Sequence, residues 1–226
     1  MSKLSSPFFI IKRSFETFAS KDNFLSLVKV YSPVGALSAI SLLFIYVPFL
    51  SSFAQSQTGG MTMTVFDLFF LLVMIFTNLA GILALIDIGK GETVDVKKTF
   101  DKSLSKYWKF LLLSLVFYAI NILGLVLLII PFFLFATWFA FSKIIMIDRS
   151  MGIRESLIQS KKMVKGRFWK ILGRIIVFGL FSFLLQIASG VLPYGVGTVV
   201  FYLCGGLLVL PTLLLYKEIA SDSVNG

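Results

Sequence analysis

The sequence contains no histidine at all and a single cysteine, Cys204, within its 226 residues. The absence of histidine removes the commonest general base and metal ligand, and with them every Ser–His or Cys–His nucleophile pair. One cysteine supports neither a disulfide framework within the chain nor a cysteine metal site. The sequence therefore predicts no catalytic residue, no metal site and no cofactor.

Charged residues are also scarce. They make up 14% of the chain, whereas 58% of it is hydrophobic and 25 residues are phenylalanine. A soluble domain is typically about 45–50% apolar and about 25% charged, so this composition excludes an ordinary water-soluble protein. It is typical of helices that face lipid.

Acidic residues are the scarcer of the charged types: 11 of them against 21 Lys and Arg leave a net charge of +10. Such an excess is also typical of nucleic-acid binding, but in a chain this apolar it favours the acidic headgroups of the cytoplasmic leaflet. We therefore expect anionic membrane lipids as partners and no nucleic acid. A protein partner or a homo-oligomer stays open.

Six stretches are long and apolar enough to cross a hydrocarbon core of roughly 30 Å, which takes about 20 residues of helix. The run from Trp108 to Ile147 is too long for one span, and Pro131 near its middle predicts a tight hairpin that divides it. A signal peptide in place of the first span is disfavoured, because the apolar region begins late and runs too long. The predicted spans cover about residues 24–53, 64–88, the two halves of 108–147, 169–191 and 196–216.

Positive charge is distributed on one side only. If the chain has six spans and its N-terminus lies inside, all 21 Lys and Arg residues lie on the cytoplasmic side of the membrane. An error of one span in this count would place at least one cationic cluster on the outer side. The three opposite loops, at residues 51–63, Pro131 and Pro193, contain no Lys or Arg, and Asp67 is the one acid toward that side. Moving cations through lipid is costly, so the pattern predicts a prokaryotic cytoplasmic (inner) membrane protein with both termini cytoplasmic.

A basic segment with helical periodicity precedes each pair of spans. Ser6 is the expected N-cap of the first segment, with Pro7 as its first helical residue, and Gly166 is expected to end the third. Such segments either lie in the interface plane with their apolar side in the acyl boundary, or pack on the cytoplasmic ends of the spans. The apolar stripes are Phe8, Ile11, Phe15 and Phe18, then Val96, Phe100, Leu104 and Tyr107, then Ile153, Leu157 and Val164.

The second and third pairs of spans are related without gaps at a constant offset. Ile86–Asp87 matches Ile147–Asp148, Tyr107–Lys109 matches Phe168–Lys170, and the first pair fits more loosely. We therefore predict an all-α integral membrane fold of six transmembrane helices: three parallel-repeat hairpins, each preceded by a cytoplasmic amphipathic interfacial helix. The chain is expected to form a single membrane domain with units 4–88, 89–148 and 149–220, followed by a short polar tail, 221–226.

Candidate interface residues lie at the starts of the third and fifth spans and in the second and third basic segments. Trp108 and Trp169 are equivalent in the repeat and suit the headgroup boundary, where an indole buries its ring and keeps its N–H hydrated. The cations expected to contact lipid headgroups are Lys97, Lys98, Lys161, Lys162, Lys165 and Arg167.

Polar residues within or at the ends of the spans are the other candidates. Asn78, Asn121 and Gln186 are interpreted as helix-packing residues, with a polar substrate path as the alternative. Asp87 and Asp148 end spans two and four, where a carboxylate opposes the helix dipole. Each is expected to have a compensating partner, as a structural ion pair or a cap, and a headgroup or metal site is the alternative.

The third unit carries a family pattern. The pattern consists of Pro131, Asp148, Gly152–Leu157, Ser160 and Val164–Trp169. It resembles the prokaryotic family labelled the membrane domain of glycerophosphoryl diester phosphodiesterase, to which YciC-like proteins are similar; Ser156 departs from the alanine expected there. The resemblance implies a six-helix membrane module, sometimes coupled to lipid-headgroup metabolism. It does not imply phosphodiesterase activity, which in the fused enzymes belongs to a separate soluble barrel that uses acids and histidines.

Three functional hypotheses follow. The first is a non-enzymatic polytopic membrane protein that organises lipids or a partner protein at the cytoplasmic face. The second is a transporter or lipid flippase with a polar path lined by Asn78, Asn121 and Gln186, although inverted rather than parallel repeats are a common signature of alternating access. The third is a membrane-embedded lipid enzyme acting through Asp87 and Asp148.

Overall fold

In the computed structural model, six helical stretches of the described residues are long and apolar enough to cross a membrane, which confirms the predicted number of spans. The structure describes residues 4–47, 51–52, 55–126, 129–192 and 195–222, which are helical with short connections and without strands. The predicted turn at Pro193, the end of the first predicted span and most of the predicted tail lie outside these residues. The spans are Asp22–Phe44, Gly60–Gly89, Val96–Val126, Pro131–Asp148, Phe168–Gly190 and Val196–Ser221, called spans 1 to 6 below.

Spans 4 and 6 are each built from two helices, whereas the other spans are single helices. The helices are labelled in chain order as α1 Pro7–Ala19, α2 Lys21–Tyr46, α3 Gln57–Gly89, α4 Val96–Val126, α5 Ile129–Trp138, α6 Ser142–Asp148, α7 Ile153–Val164, α8 Phe168–Gly190, α9 Val196–Leu203 and α10 Gly205–Asp222. Span 4 therefore consists of α5 and α6, and span 6 of α9 and α10.

Two predicted helix ends are confirmed. The amide of Phe9 donates to Ser6 Oγ at 3.2 Å, so Ser6 caps α1 and Pro7 is its first residue, where its missing N–H has no cost. At the other end of the basic segments, α7 ends at Val164 and Gly166 adopts φ 83°, a left-handed conformation that favours glycine.

Consecutive spans pack against each other, and α9 of span 6 returns to pack on α2 of span 1. Span 2 also contacts α6 and α10, and 56% of its apolar stretch is buried within the protein, against 11% in span 5. Span 2 is therefore the central helix and span 5 the most peripheral one. The end of the bundle that carries α1, α7 and the start of α4 is called the basic end, because every described Lys and Arg lies at or toward it.

The first residues of the described chain close the bundle at the basic end. The amide of Ser5 donates to the Glu218 carboxylate of α10. The Arg174 guanidinium of α8 donates to the carbonyl of Leu4 at 2.8 Å and to that of Ser5 at 2.6 Å. Because α1 also packs on α10, spans 5 and 6 together hold the segment that precedes span 1. We call this set of contacts the N-terminal clasp.

The second basic segment is not a separate interfacial helix, contrary to expectation. It is continuous with span 3 in α4, whose 31 residues correspond to about 46 Å at 1.5 Å per residue. No proline interrupts α4, and no glycine precedes Gly124, so nothing in the sequence stops the helix before the span begins. By contrast, α1 and α7 are separate helices that end before spans 1 and 5 begin.

Ser160 bridges the interruption of span 4. Its hydroxyl donates to the Trp138 carbonyl at 2.7 Å and accepts from the Phe141 amide at 3.2 Å, across the gap between α5 and α6. Backbone groups at such a break need a partner, because the hydrocarbon offers none. A fully buried serine of α7 therefore stabilises the break.

We expect Ser160→Ala to lower the free energy of unfolding by about 2 kcal/mol, because it leaves the buried Phe141 amide and the Trp138 carbonyl unsatisfied. Ser156→Ala is the matched control, since Ser156 is equally buried on α7 but bonds only to the Gly152 and Ile153 carbonyls near its own position. Unfolding of both variants in detergent micelles measures the difference. Equal losses would contradict the bridging role.

Candidate functional site

The candidate interface residues lie on the surface of the basic end. Trp108 is 77% exposed and Trp169 is 80% exposed, so both indoles face outward from the protein. The five lysines among the candidates are exposed as well, and Arg167 is half-buried. Lys161 also contacts the bundle, because its Nζ lies 4.1 Å from the centre of the Trp138 ring. Exposed indoles and ammonium groups at one end are the pattern of a surface that meets lipid headgroups.

A cleft that the sequence did not predict lies beside these residues, between α4 and the connection from α6 to α7. Its volume is about 300 Å³. Lys106 Nζ lies 3.5 Å from Ser150 Oγ across the mouth, and none of the described lining residues is acidic. This cleft, called the basic cleft, is lined by Lys106, Lys109, Met146, Ser150, Met151, Gly152 and Ile153.

Local geometry at the end of span 4 shapes the basic cleft. Ser150 adopts φ 51°, an uncommon left-handed conformation for a residue other than glycine, and it turns the chain away from α6. Gly152 then caps α7, and its amide donates to Glu155 Oε2 at 3.2 Å. The turn places the first residues of α7 at the cleft, next to the lysines of α4. The positive end of the α7 dipole adds to their charge.

Lys143 lies within span 4, on α6, one turn before Met146 of the basic cleft. Its Nζ lies 4.9 Å from the ring centre of Tyr118, 5.2 Å from that of Phe117 and 5.7 Å from that of Phe110, all on α4. Among the salt bridges of the described residues, none involves Lys143. The faces of three aromatic rings carry negative partial charge and stabilise this cation within span 4.

The two candidate carboxylates have different partners. Asp87 Oδ2 lies 3.9 Å from Lys102 Nζ, and this pair joins the end of α3 to the start of α4. Asp148 instead accepts a hydrogen bond from the Tyr216 hydroxyl at 2.8 Å, which joins α6 to α10. Both carboxylates therefore connect helices at the basic end, one through a cation and one through a phenol.

The three candidate intramembrane amides lie in different surroundings. Asn78 lines a cavity between spans 1, 2 and 6 whose walls include neither Asn121 nor Gln186. Asn121 is buried, and its side-chain amide donates to the Phe117 carbonyl of its own helix at 2.7 Å. Gln186 is exposed on span 5. The structure thus does not bring these residues to one path.

Comparison with protein-family models, with curated proteins and with solved structures finds no match for this chain. The family resemblance described above therefore stays a prediction. The structure adds Lys106, Lys109, Ser150 and Lys143 to the candidate residues. The two lysines of α4 are visible in the sequence as an i, i+3 pair, but their proximity to Ser150 depends on contacts between distant segments.

We expect Lys143→Met to raise the free energy of unfolding by about 1 kcal/mol, because a charge that has aromatic contacts but no salt bridge among the described residues is removed from an apolar site while the side-chain length is kept. Thermal unfolding of the purified protein in micelles measures the change. Lys12→Met, at an exposed position of α1, is the control and is expected to change stability little. A clear loss of stability in Lys143→Met would show that the aromatic rings depend on the cation.

Proposed function

We propose that this protein is a non-enzymatic membrane protein that binds and organises anionic lipids at the cytoplasmic face. The observation that carries the proposal is the basic cleft. Two lysines and a serine line it together with the apolar side chains of Met146, Met151 and Ile153. An anionic phospholipid has the same division, because its phosphodiester is charged and its glycerol backbone leads into acyl chains.

The energetics of the basic cleft favour such a ligand. Each cation close to a membrane surface contributes about 1 kcal/mol of attraction to anionic lipid. Two lysines in one cleft therefore supply about tenfold or more in preference over a zwitterionic lipid, since 1.4 kcal/mol corresponds to a factor of ten. The volume of about 300 Å³ suits a phosphate with its glycerol rather than a whole lipid, whose chains would extend outward.

We further propose that the basic end is cytoplasmic and that α1 and α7 lie in the interface. Phe8, Phe9 and Phe15 of α1 are exposed, whereas Ile10 and Phe18 pack into the bundle. Packing on the ends of the spans and lying in the membrane interface therefore both have support in α1, because one side of the helix packs on the spans and another side is free to enter the acyl boundary. The exposed phenylalanines would otherwise face water.

The threefold repeat belongs to the same proposal. Each basic segment packs on the second span of the preceding hairpin: the start of α4 on α3, α7 on α6, and α1 on α10. The last contact closes the cycle through the N-terminal clasp. Three equivalent units in a ring account for this order of contacts and for the matching sequence positions Asp87 and Asp148.

The arrangement of polar residues favours this function over the two alternatives. A transport path through Asn78, Asn121 and Gln186 has little support, because Asn121 bonds to its own helix and Gln186 is exposed. A lipid enzyme acting through Asp87 and Asp148 has little support as well, because each carboxylate is engaged with another helix.

Lipid preference tests the proposal directly. We expect Lys106→Gln/Lys109→Gln to reduce the preference of the reconstituted protein for phosphatidylglycerol over phosphatidylcholine about tenfold, because both cleft cations are removed. Native mass spectrometry of lipid-bound protein measures the preference. Lys97→Gln/Lys98→Gln removes the same charge from the same helix outside the basic cleft and is expected to have a smaller effect. Equal effects would assign the preference to general charge and not to the cleft.

Labelling tests the orientation. In a Cys204→Ala background, we expect an impermeant maleimide to label Gln55→Cys in intact cells, and Lys98→Cys only after permeabilisation. Gln55 and Lys98 are both exposed, and they lie at opposite ends of the bundle. We expect this labelling pattern because Lys and Arg residues are kept on the cytoplasmic side of the membrane during insertion, and Lys98 belongs to a basic segment. Labelling of position 98 in intact cells would refute the cytoplasmic assignment.

A further inference from the structure

A second cavity lies within the membrane-spanning part of the bundle, between spans 1, 2 and 6. Its volume is about 210 Å³. Its walls are largely apolar, and none of its described lining residues carries a charge. The residues that bear on its chemistry are Tyr31, Thr77, Asn78, Phe201 and Tyr202.

Two hydroxyl groups of this cavity have no hydrogen-bond partner among the described residues. They are Tyr31 Oη and Thr77 Oγ1, and these residues are 4% and 1% exposed. A hydroxyl buried in an apolar environment without a partner costs free energy, and within a membrane no water compensates it. Both residues line the same cavity, so a single ligand there is a candidate partner for both hydroxyls.

Thr77 differs from three other helical threonines of this protein. Thr64, Thr99 and Thr137 each donate to the carbonyl four residues earlier in their helix, which is the usual way to satisfy a helical hydroxyl. Thr77 has the same helical context in α3 and makes no such bond. Its hydroxyl is therefore available to a ligand.

The packing of Tyr31 fixes its ring beside the cavity. A side chain at Gly81 would meet the Tyr31 hydroxyl, and one at Gly205 would meet the edge of its ring, because these glycines flank it. Gly205 begins α10 directly after the junction of the two helices of span 6. Two glycines and a helix junction thus hold a tyrosine whose hydroxyl has no partner among the described residues.

We propose that this cavity, called the hydroxyl cavity, binds the carbonyl-bearing headgroup of a neutral membrane lipid. The absence of charge in its described lining excludes an ionic ligand, and the hydroxyls of Tyr31 and Thr77 donate to carbonyl oxygens. Its volume holds about seven groups of the size of a water molecule, which suits a compact headgroup. Phe201 and Tyr202 provide aromatic surface for a flat one.

Two sources supply this chemistry: the ring carbonyls of an isoprenoid quinone and the ester carbonyls of a diacylglycerol. Thr77 lies near the middle of span 2, twelve residues before Gly89, the last residue of that span. Both lipids are uncharged and reach that depth more readily than a phospholipid does. The proposal is independent of the basic cleft, because the two cavities share no lining residue.

Thermal unfolding of the purified full chain in detergent, with a short-chain ubiquinone or with dioctanoylglycerol, tests this inference. We expect one of the two lipids to raise the Tm saturably by about 2–4 °C, since a ligand that binds only the folded state stabilises it. Tyr31→Phe and Thr77→Val keep the side-chain shape, and each is expected to lose at least half of the rise.

Ser114→Ala is the matched control, because Ser114 is also fully buried, with a hydroxyl that has no partner in the described part of the chain, but does not line the hydroxyl cavity. It is expected to keep the full rise. Without added lipid, Tyr31→Phe and Thr77→Val should unfold at or above the wild-type temperature, which establishes that they fold. A rise with ubiquinone alone assigns the quinone, and one with dioctanoylglycerol alone assigns the ester. No rise with either lipid, or a full rise in both variants, would overturn the proposal.

Discussion

The free-energy cost of placing a cation in hydrocarbon determines how the whole molecule is arranged. Every described Lys and Arg lies at or toward one end of the bundle, so each helical hairpin must begin and finish there. Spans 2, 4 and 6 return to that end and pack together, with span 2 at the centre. The ion pair of Asp87, the phenol contact of Asp148 and the N-terminal clasp all join helices at this same end. Lys143 is the cation that lies deepest in span 4, and three aromatic rings surround it.

Some polar groups inside the bundle have hydrogen-bond partners and stabilise the fold, whereas others have none among the described residues and are candidates for ligand binding. At the interruption of span 4, Ser160 satisfies both backbone groups, so the break is a stable part of the fold. At the junction within span 6, Tyr31 and Thr77 lie close by with hydroxyls that have no partner among the described residues. A helix interruption whose backbone groups are hydrogen-bonded is stable, whereas buried hydroxyls without hydrogen-bond partners lower the stability of the folded protein. Such a cost is commonly kept where a ligand recovers it.

Much of the fold could be predicted because its signals are local. Hydropathy and charge identified six spans, and Ser6 with Pro7 identified the start of α1. The continuity of α4 was missed, although the sequence from Val96 onward has no helix breaker, because the repeat suggested three separate segments. The interruption at Phe139–Phe141 has no local signal, since these residues are as apolar as their neighbours and the stabilising Ser160 is distant in sequence. The basic cleft and the hydroxyl cavity were missed for the same reason, because segments far apart in the chain form them.

The N-terminal clasp has a consequence for how the protein is made. Helix α1 leaves the ribosome before α8 and α10, which form the surfaces that receive it. Leu4 and Ser5 lack their Arg174 partner until span 5 has been made, and Ser5 lacks Glu218 until span 6 has been made. During synthesis α1 therefore remains at the membrane surface, where its exposed phenylalanines contact the lipids. The N-terminal clasp is complete only once α10 has been made, so a chain that stops before Glu218 lacks the contact between Ser5 and α10.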